Sequence, residues 1–247
     1  MDEVTSRPVP TEAAPEKVWR YMSFARFVWL LQKRQLWLSR ADLLGDPWEI
    51  ALVGDQLKFV ISRHPPTDIF SKQPRESAEE RSSRIIKLWR RTTFVNCWST
   101  AEHESHALWR IYCRSAEGVA LQTTLARLSD SVAGLPVLRV TYEGPGRARR
   151  TPTIDDLVTK KRPMFAYEHE VRIVRSKIAD IADEAMPDEK ILGLPLSWEP
   201  ERHVECIRVH PEADFSFFET VTAVIGQYAP ALGERVEWSA MRDGPPF

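Results

Sequence analysis

Three cysteines in 247 residues, Cys97, Cys113 and Cys206, are too few and too widely spaced for a disulfide framework. Reduced thiols in a cytoplasm are the expectation. No apolar stretch approaches the roughly 18 residues of a membrane span. The N-terminus also lacks the basic-then-apolar order of a secretory signal, so a soluble chain with no membrane partner is expected. Excess charge is missing too: 34 Lys and Arg oppose 35 Asp and Glu. Nothing therefore draws the whole surface to nucleic acid, and such a partner would need a local patch. Absent as well are a G-x-S-x-G elbow, a P-loop and a G-x-G-x-x-G after a strand, which removes support for a hydrolase or Rossmann fold. "HESH" puts His103 and His106 one residue short of zincin spacing and without a third ligand, so no metal site is expected there.

What is present suits a well-filled interior. Nine tryptophans and an apolar share of 43% argue for a substantial core or an aromatic-lined cleft. The opening "MDEVTSRPVPTEAAPE" reads as a disordered tail over 1–16, and residues 17–247 as one domain. "KVWRYMS" reads as a strand, after which Ser23 caps a helix through "FARFVWLLQKRQ". "LWLS", "TFVNCWST", "GVALQTT", "LPVLRVTYEG", "HVECIRVHP" and "ERVEWSAM" read as further strands. Helices are expected in "RESAEERSSRIIKLWRR", with Ile85, Leu88 and Trp89 inward, and in "HESHALWRIYC", "IDDLVTKKR" and "FSFFETVTAVIGQYA". Strands in runs with fewer long helices favour a single α+β domain over a doubly wound parallel sheet.

The segment "FAYEHEVRIV" reads as one strand. Alternation then puts Glu168, Glu170 and Arg172 on one face, the glutamates roughly 7 Å apart. A half-exposed strand with a wet outer face explains this pattern, and so does a paired-carboxylate site. The basic runs Arg147, Arg149, Arg150 and Lys160, Lys161, Arg162 suit either phosphates or solvated charge. Asp46 and Glu49, in "LLGDPWE", suit either a plain turn or the rim of a cleft.

Arg20 on an early strand, Ser99 and Thr100 at the end of a middle strand and Glu168-x-Glu170 on a late one, in that order, resemble the arginine-serine-glutamate class of ADP-ribosyltransferases. The succession "WRYMS", "LWLSRADLLGDPWE", "FVNCWST", "ALWRIYC", "GVALQTT", "VTYEG" and "KRPMFAYEHEVRIV" also resembles a bacterial family catalogued as domain of unknown function 2971. The transferase resemblance implies a largely antiparallel split sheet flanked by helices, and NAD as substrate. It implies Arg20, Ser99, Glu168 and Glu170 as catalytic residues. Arg20 would grip NAD, helped by Tyr21, Ser99, Thr100, Trp109 and Tyr112. Glu170 would stabilise the cation formed as nicotinamide leaves, and Glu168 would act on a protein or nucleic-acid acceptor. Asp46 and Glu49 would bind that acceptor, and toxin or defence roles would follow. Two rivals remain open: a metal-dependent nuclease built on Asp46, Glu49, Glu168 and Glu170, and a non-catalytic partner-binding module.

Overall fold

Alternation along "KVWRYMS" buries both faces of the first strand. β1 (Lys17–Ser23) turns Val18 and Met22 into one apolar cluster and Trp19 and Tyr21 into another. The computed structural model describes residues 15–46, 48–51, 77–144, 153–177 and 188–242. The expected disordered tail, apart from Pro15 and Glu16, and the basic loop carrying Arg147, Arg149 and Arg150 lie outside the described residues.

Ser23 sits at the N-cap of α1 (Phe24–Lys33) without a side-chain capping bond, contrary to the expected cap. The Phe24 amide donates instead to the Glu117 carbonyl at 3.1 Å. Phe27, Leu30 and Leu31 face the core, and Arg34 in the left-handed region (φ 54°) ends the helix. β2 (Gln35–Arg40) follows. α2 (Ala78–Thr92) is closed at its start by a capping box between Ser77 and Glu80. β3 (Thr93–Ser99) leads to α3 (His106–Cys113), capped by Ser105. His103 precedes α3, so "HESH" does not form a helical face.

Then come β4 (Gly118–Thr124), α4 (Leu125–Asp130), β5 (Val137–Arg139), β6 (Thr141–Tyr142), α5 (Ile154–Val158) and β7 (Lys160–Lys161). β8 (Glu170–Ser176), β9 (Gly193–Ser197), α6 (Pro200–His203), β10 (Cys206–Val209), α7 (Phe215–Tyr228) and β11 (Val236–Trp238) complete the order. β9 has no strand signature in the sequence, yet it pairs with β2 along its whole length.

The strand expected over 165–174 is shorter than its pattern suggests. Pro163 opens a 3-10 turn that runs to Glu168, and β8 begins only at Glu170. His169 makes the break, with φ 43° and ψ 51°. Thr100 holds it there: its amide and hydroxyl donate to the His169 carbonyl at 2.8 and 2.9 Å.

The result is a mixed α+β domain around a nine-stranded sheet whose pairings are antiparallel except β10 with β11. β8 pairs with β3 from Thr93↔Ser176 to Ser99↔Glu170. The other edge of β3 is shared. β1 meets it only at Trp19↔Ser99, and β2 only at Ser39↔Val95 and Arg40↔Phe94. Between these contacts the sheet splits, and side chains satisfy the backbone that no strand reaches. Arg20 Nη1 donates to the Cys97 carbonyl at 2.5 Å, and Asn96 Nδ2 donates to the Trp37 carbonyl at 2.8 Å.

One face of the sheet, with Val18, Met22, Phe94, Trp98, Val171 and Ile173, packs on α1 and α7 residues such as Phe27 and Val221. The opposite face carries two separate clusters. Val95 and Val174 pack with Leu157 and Val158, while Trp19 and Tyr21 pack with Leu108 and Trp109.

Asn96 spans the split with both ends, since its Oδ1 also accepts from Trp98 Nε1 at 2.8 Å. Asn96→Ala leaves a buried indole N–H and a carbonyl without partners. It is expected to cost about 3 kcal/mol, read as a lower urea midpoint with unchanged slope.

Candidate active site

The gap between the two apolar clusters is filled by charge. In register across β3 and β8, Ser99 lies beside Glu170 and Cys97 beside Arg172, on the face that also bears Val95 and Val174. Arg172, fully buried, donates to both Glu49 oxygens at 2.8 and 2.9 Å, to the Val158 carbonyl at 2.7 Å and to Glu170 Oε2 at 2.8 Å. Lys161 comes in from β7. Its Nζ bonds Glu168 Oε2 and lies 3.4 Å from both Glu170 Oε2 and Glu49 Oε1. The Phe165 ring, 4.9 Å away, covers the ammonium. Three carboxylates and two cations leave this cluster one negative charge.

The glutamate face is therefore not the outer face of a half-exposed strand, because Glu168 and Glu170 are each only 6% exposed. Nor is Lys161 solvated charge, with 8% of its side chain exposed, while Arg162 is half-buried and paired. Arg162 donates to Asp46 at 2.8 and 3.2 Å and lies over the Trp48 and Phe165 rings.

Environment separates the two glutamates. Burial raises Glu170, but Arg172 and Lys161 outweigh it and hold the group below the usual carboxylate range. Burial also raises Glu168, and there Lys161 does not fully offset it, so the net shift is upward. Lys161 would be lowered by burial, yet Glu170, Glu49 and Glu168 push it above the ordinary lysine range. Burial brings Arg20 down to about 10, still protonated at neutral pH.

The structure brings Ser99, Glu168, Glu170 and Glu49 to one place. Ser99 Oγ is buried and has no hydrogen-bond partner among the described residues. Tyr112, 41% exposed at the end of α3, is near enough that Glu168, Cys97 and Glu170 add to burial in raising its phenol. Arg20 leaves β1 on the opposite face, with Val18 and Met22; its guanidinium lies 6.0 Å from the Trp98 ring on that face, bonds the Cys97 carbonyl in the split, and is near enough to the site for Tyr112 and Glu170 to favour its charge.

The remaining expected site residues are placed differently. Tyr21 and Trp109 pack edge to face at 5.0 Å in the core, and their polar atoms are taken by the Ser105 amide and Glu104. Thr100 latches the His169 turn. Asp46 and Glu49, expected at an acceptor-binding rim, are 4% and 2% exposed and bound to Arg162 and Arg172. Asp46 does not converge with the other three carboxylates, and the point where those meet is occupied by the Lys161 ammonium. Among the described residues no group of three or more His, Cys, Asp or Glu side chains could hold a metal ion.

Sequence reasoning did not find Lys161, Tyr142 or the Arg172–Glu49 fork as parts of the site. Tyr142 accepts from the Glu170 amide at 2.7 Å. The only signal was the basic triplet ahead of "PMFAYEHE", which by itself suits a solvated turn equally well.

No protein-family model matches the chain, the family resembled by its motif succession included, and no curated protein matches it. Solved structures of one protein do. Thermus sp. 2.9 DarT in complex with NAD+ is 15% identical, with 95% of this chain and 100% of that one covered and a TM-score of 0.40. The same protein with ADP-ribosylated ssDNA is 15% identical over 93% and 95%, at a TM-score of 0.38. With carba-NAD+ the figures are 13% identity, 92% and 96%, and 0.38. At this level of similarity no residue of those chains is carried over to this one. Among the described residues no helix is long and apolar enough to cross a membrane.

Glu170→Gln takes one carboxylate from Arg172 and Lys161 but leaves the Glu49 fork in place. It should fold, with a loss of about 2 kcal/mol at pH 7. Since the folded-state value of Glu170 is lowered, its stabilisation is present above the unfolded value of 4.5 and is lost as pH falls through the folded value. The gap in stability between wild type and variant, followed by urea unfolding at a series of pH values, should accordingly narrow in acid.

Proposed function

We propose that the chain is an ADP-ribosyltransferase-like enzyme that cleaves NAD and passes ADP-ribose to a macromolecular acceptor. The observation that supports this most is the Ser99 hydroxyl. It is buried, unpartnered among the described residues and in register with an anionic Glu170, at the mouth of a split in the sheet. A buried hydroxyl left without a partner is costly unless a ligand completes it, and a sugar hydroxyl is a fitting partner.

In this reading Glu170 accepts from the 2′-hydroxyl of the nicotinamide-side ribose and stabilises the positive charge that grows at C1′ as the bond to nicotinamide breaks. A fixed carboxylate in a water-poor site supplies several kcal/mol to such a transition state. Ser99 holds the ribose against it. Arg20, with one of its donors spent on the Cys97 carbonyl among the described residues, offers the rest of its planar fork to an NAD oxygen. Tyr112 supplies an accessible ring beside the glutamates for nicotinamide or adenine to stack on. The acceptor's electron pair then forms the new bond to C1′, nicotinamide carries off the old one, and Glu168 takes the acceptor proton. The exposed side chains of Met164 and Tyr167, on the turn that carries Glu168, are where an acceptor would first touch.

Incubation with labelled NAD and a cell lysate, without added metal, is the test. Free nicotinamide and label on macromolecules are expected from wild type. Glu170→Gln should lower nicotinamide release at least about a hundredfold, and Ser99→Ala about tenfold. Turnover by Glu170→Gln close to wild type would sink the proposal. Metal-dependent cleavage of RNA or DNA instead of NAD turnover would favour a nuclease.

A further inference from the structure

The Lys161 ammonium sits where three carboxylates meet, with only 8% of its side chain exposed, and no step assigned above uses it. The two glutamates divide their cations unequally. Glu170 has the Arg172 guanidinium, shared with Glu49, at 2.8 Å, with Lys161 more distant at 3.4 Å. Glu168 has ion-pair contact with Lys161 alone among the described residues. It is also built differently, standing at the end of a 3-10 turn, one residue before the left-handed His169, and not on the strand.

We propose that Lys161 is a positioning residue, whose ammonium holds Glu168 as a carboxylate beside Glu170, ready to take the acceptor proton. This rests on the NAD-cleaving reading above. Among the described residues no other cation contacts Glu168, and Arg172 favours its ionised form only from farther off. Glu170 on β8 repels it, while Arg172 on β8 is committed to Glu49 and Glu170. Tyr112 on α3, Tyr142 on β6 and Tyr167 on its own turn are phenols whose charged forms it disfavours. Cys97 on β3 is turned to Glu170, and Glu49 shares Lys161. Remove the ammonium and Glu168 is a buried carboxyl among like charges and hydroxyls, an arrangement that favours its protonated form.

Lys161→Met is the first variant and Lys161→Gln the second, the latter keeping a donor to Glu168 while deleting the charge. Lys161→Arg is the conservative control. Carboxyl carbons of labelled glutamate are followed by NMR across pH, with Glu168→Gln used to assign the Glu168 signal. The acid limb of kcat/KM for ADP-ribose transfer is measured alongside. In Lys161→Met and Lys161→Gln the Glu168 titration and the acid limb should both move up by about one pH unit or more, while Glu170 stays ionised; Lys161→Arg should bring both back. A Glu168 titration unmoved in either folded neutral variant overturns the inference. Restored activity at high pH separates lost charge from lost shape. Should wild type release no nicotinamide, the NAD reading fails, and the NMR titration still decides whether Lys161 sets the state of Glu168.

Discussion

A guanidinium with no exposed surface, Arg172, joins the parts of this molecule that sequence leaves far apart. Its fork holds Glu49 from the turn after β2, its second contact fixes Glu170 on its own strand, and a third takes the Val158 carbonyl at the end of α5. A buried charge is tolerated only when paired and hydrogen-bonded. The position of Arg172 in the middle of the β3–β8 pairing therefore dictates that an acidic turn, a short helix and a glutamate all close upon it. The cluster gains little net stability from such a pair by itself. What it gains is definition, since the two terminal nitrogens of Arg172 have one place in which Glu49, Glu170 and the Val158 carbonyl are all met.

The split in the sheet is the second constraint. β1 and β2 compete for one edge of β3, and the Arg20 and Asn96 side chains take the carbonyls between them. On the face opposite α1 and α7 this gap divides two apolar clusters, and the charged residues lie between them. The site is polar because apolar packing from either side does not extend over it. Ser99, whose hydroxyl has no partner among the described residues, stands where β1 and β3 part.

Much of the fold was legible in the sequence because periodicity reports burial. Val18 and Met22 against Trp19 and Tyr21, and Phe27 with Leu30 and Leu31, are patterns that only a strand and a helix can bury. β9 escaped notice: "GLPLS" holds a proline and a glycine, and becomes a strand because β2 offers it an edge. "FAYEHE" misled in the other direction. Its alternation suits a strand, but Pro163 and the Thr100 bonds to His169 impose a turn, and those bonds come from 69 residues away.

The candidate site divides along the same line. Composition and order by themselves determined an α+β chain with an arginine, a serine and two close glutamates in succession, since these follow from residue type and local period. Only tertiary structure decided that Glu168 and Glu170 differ in state, that Asp46 and Glu49 are anchors and not rim, that Tyr21 and Trp109 are core, and that a lysine stands among the carboxylates. The reason is that these properties belong to distances between segments. A charge acquires its character from what surrounds it in a medium of low dielectric, and for Glu168 that surrounding is assembled from α3, β6, β7 and β8 together.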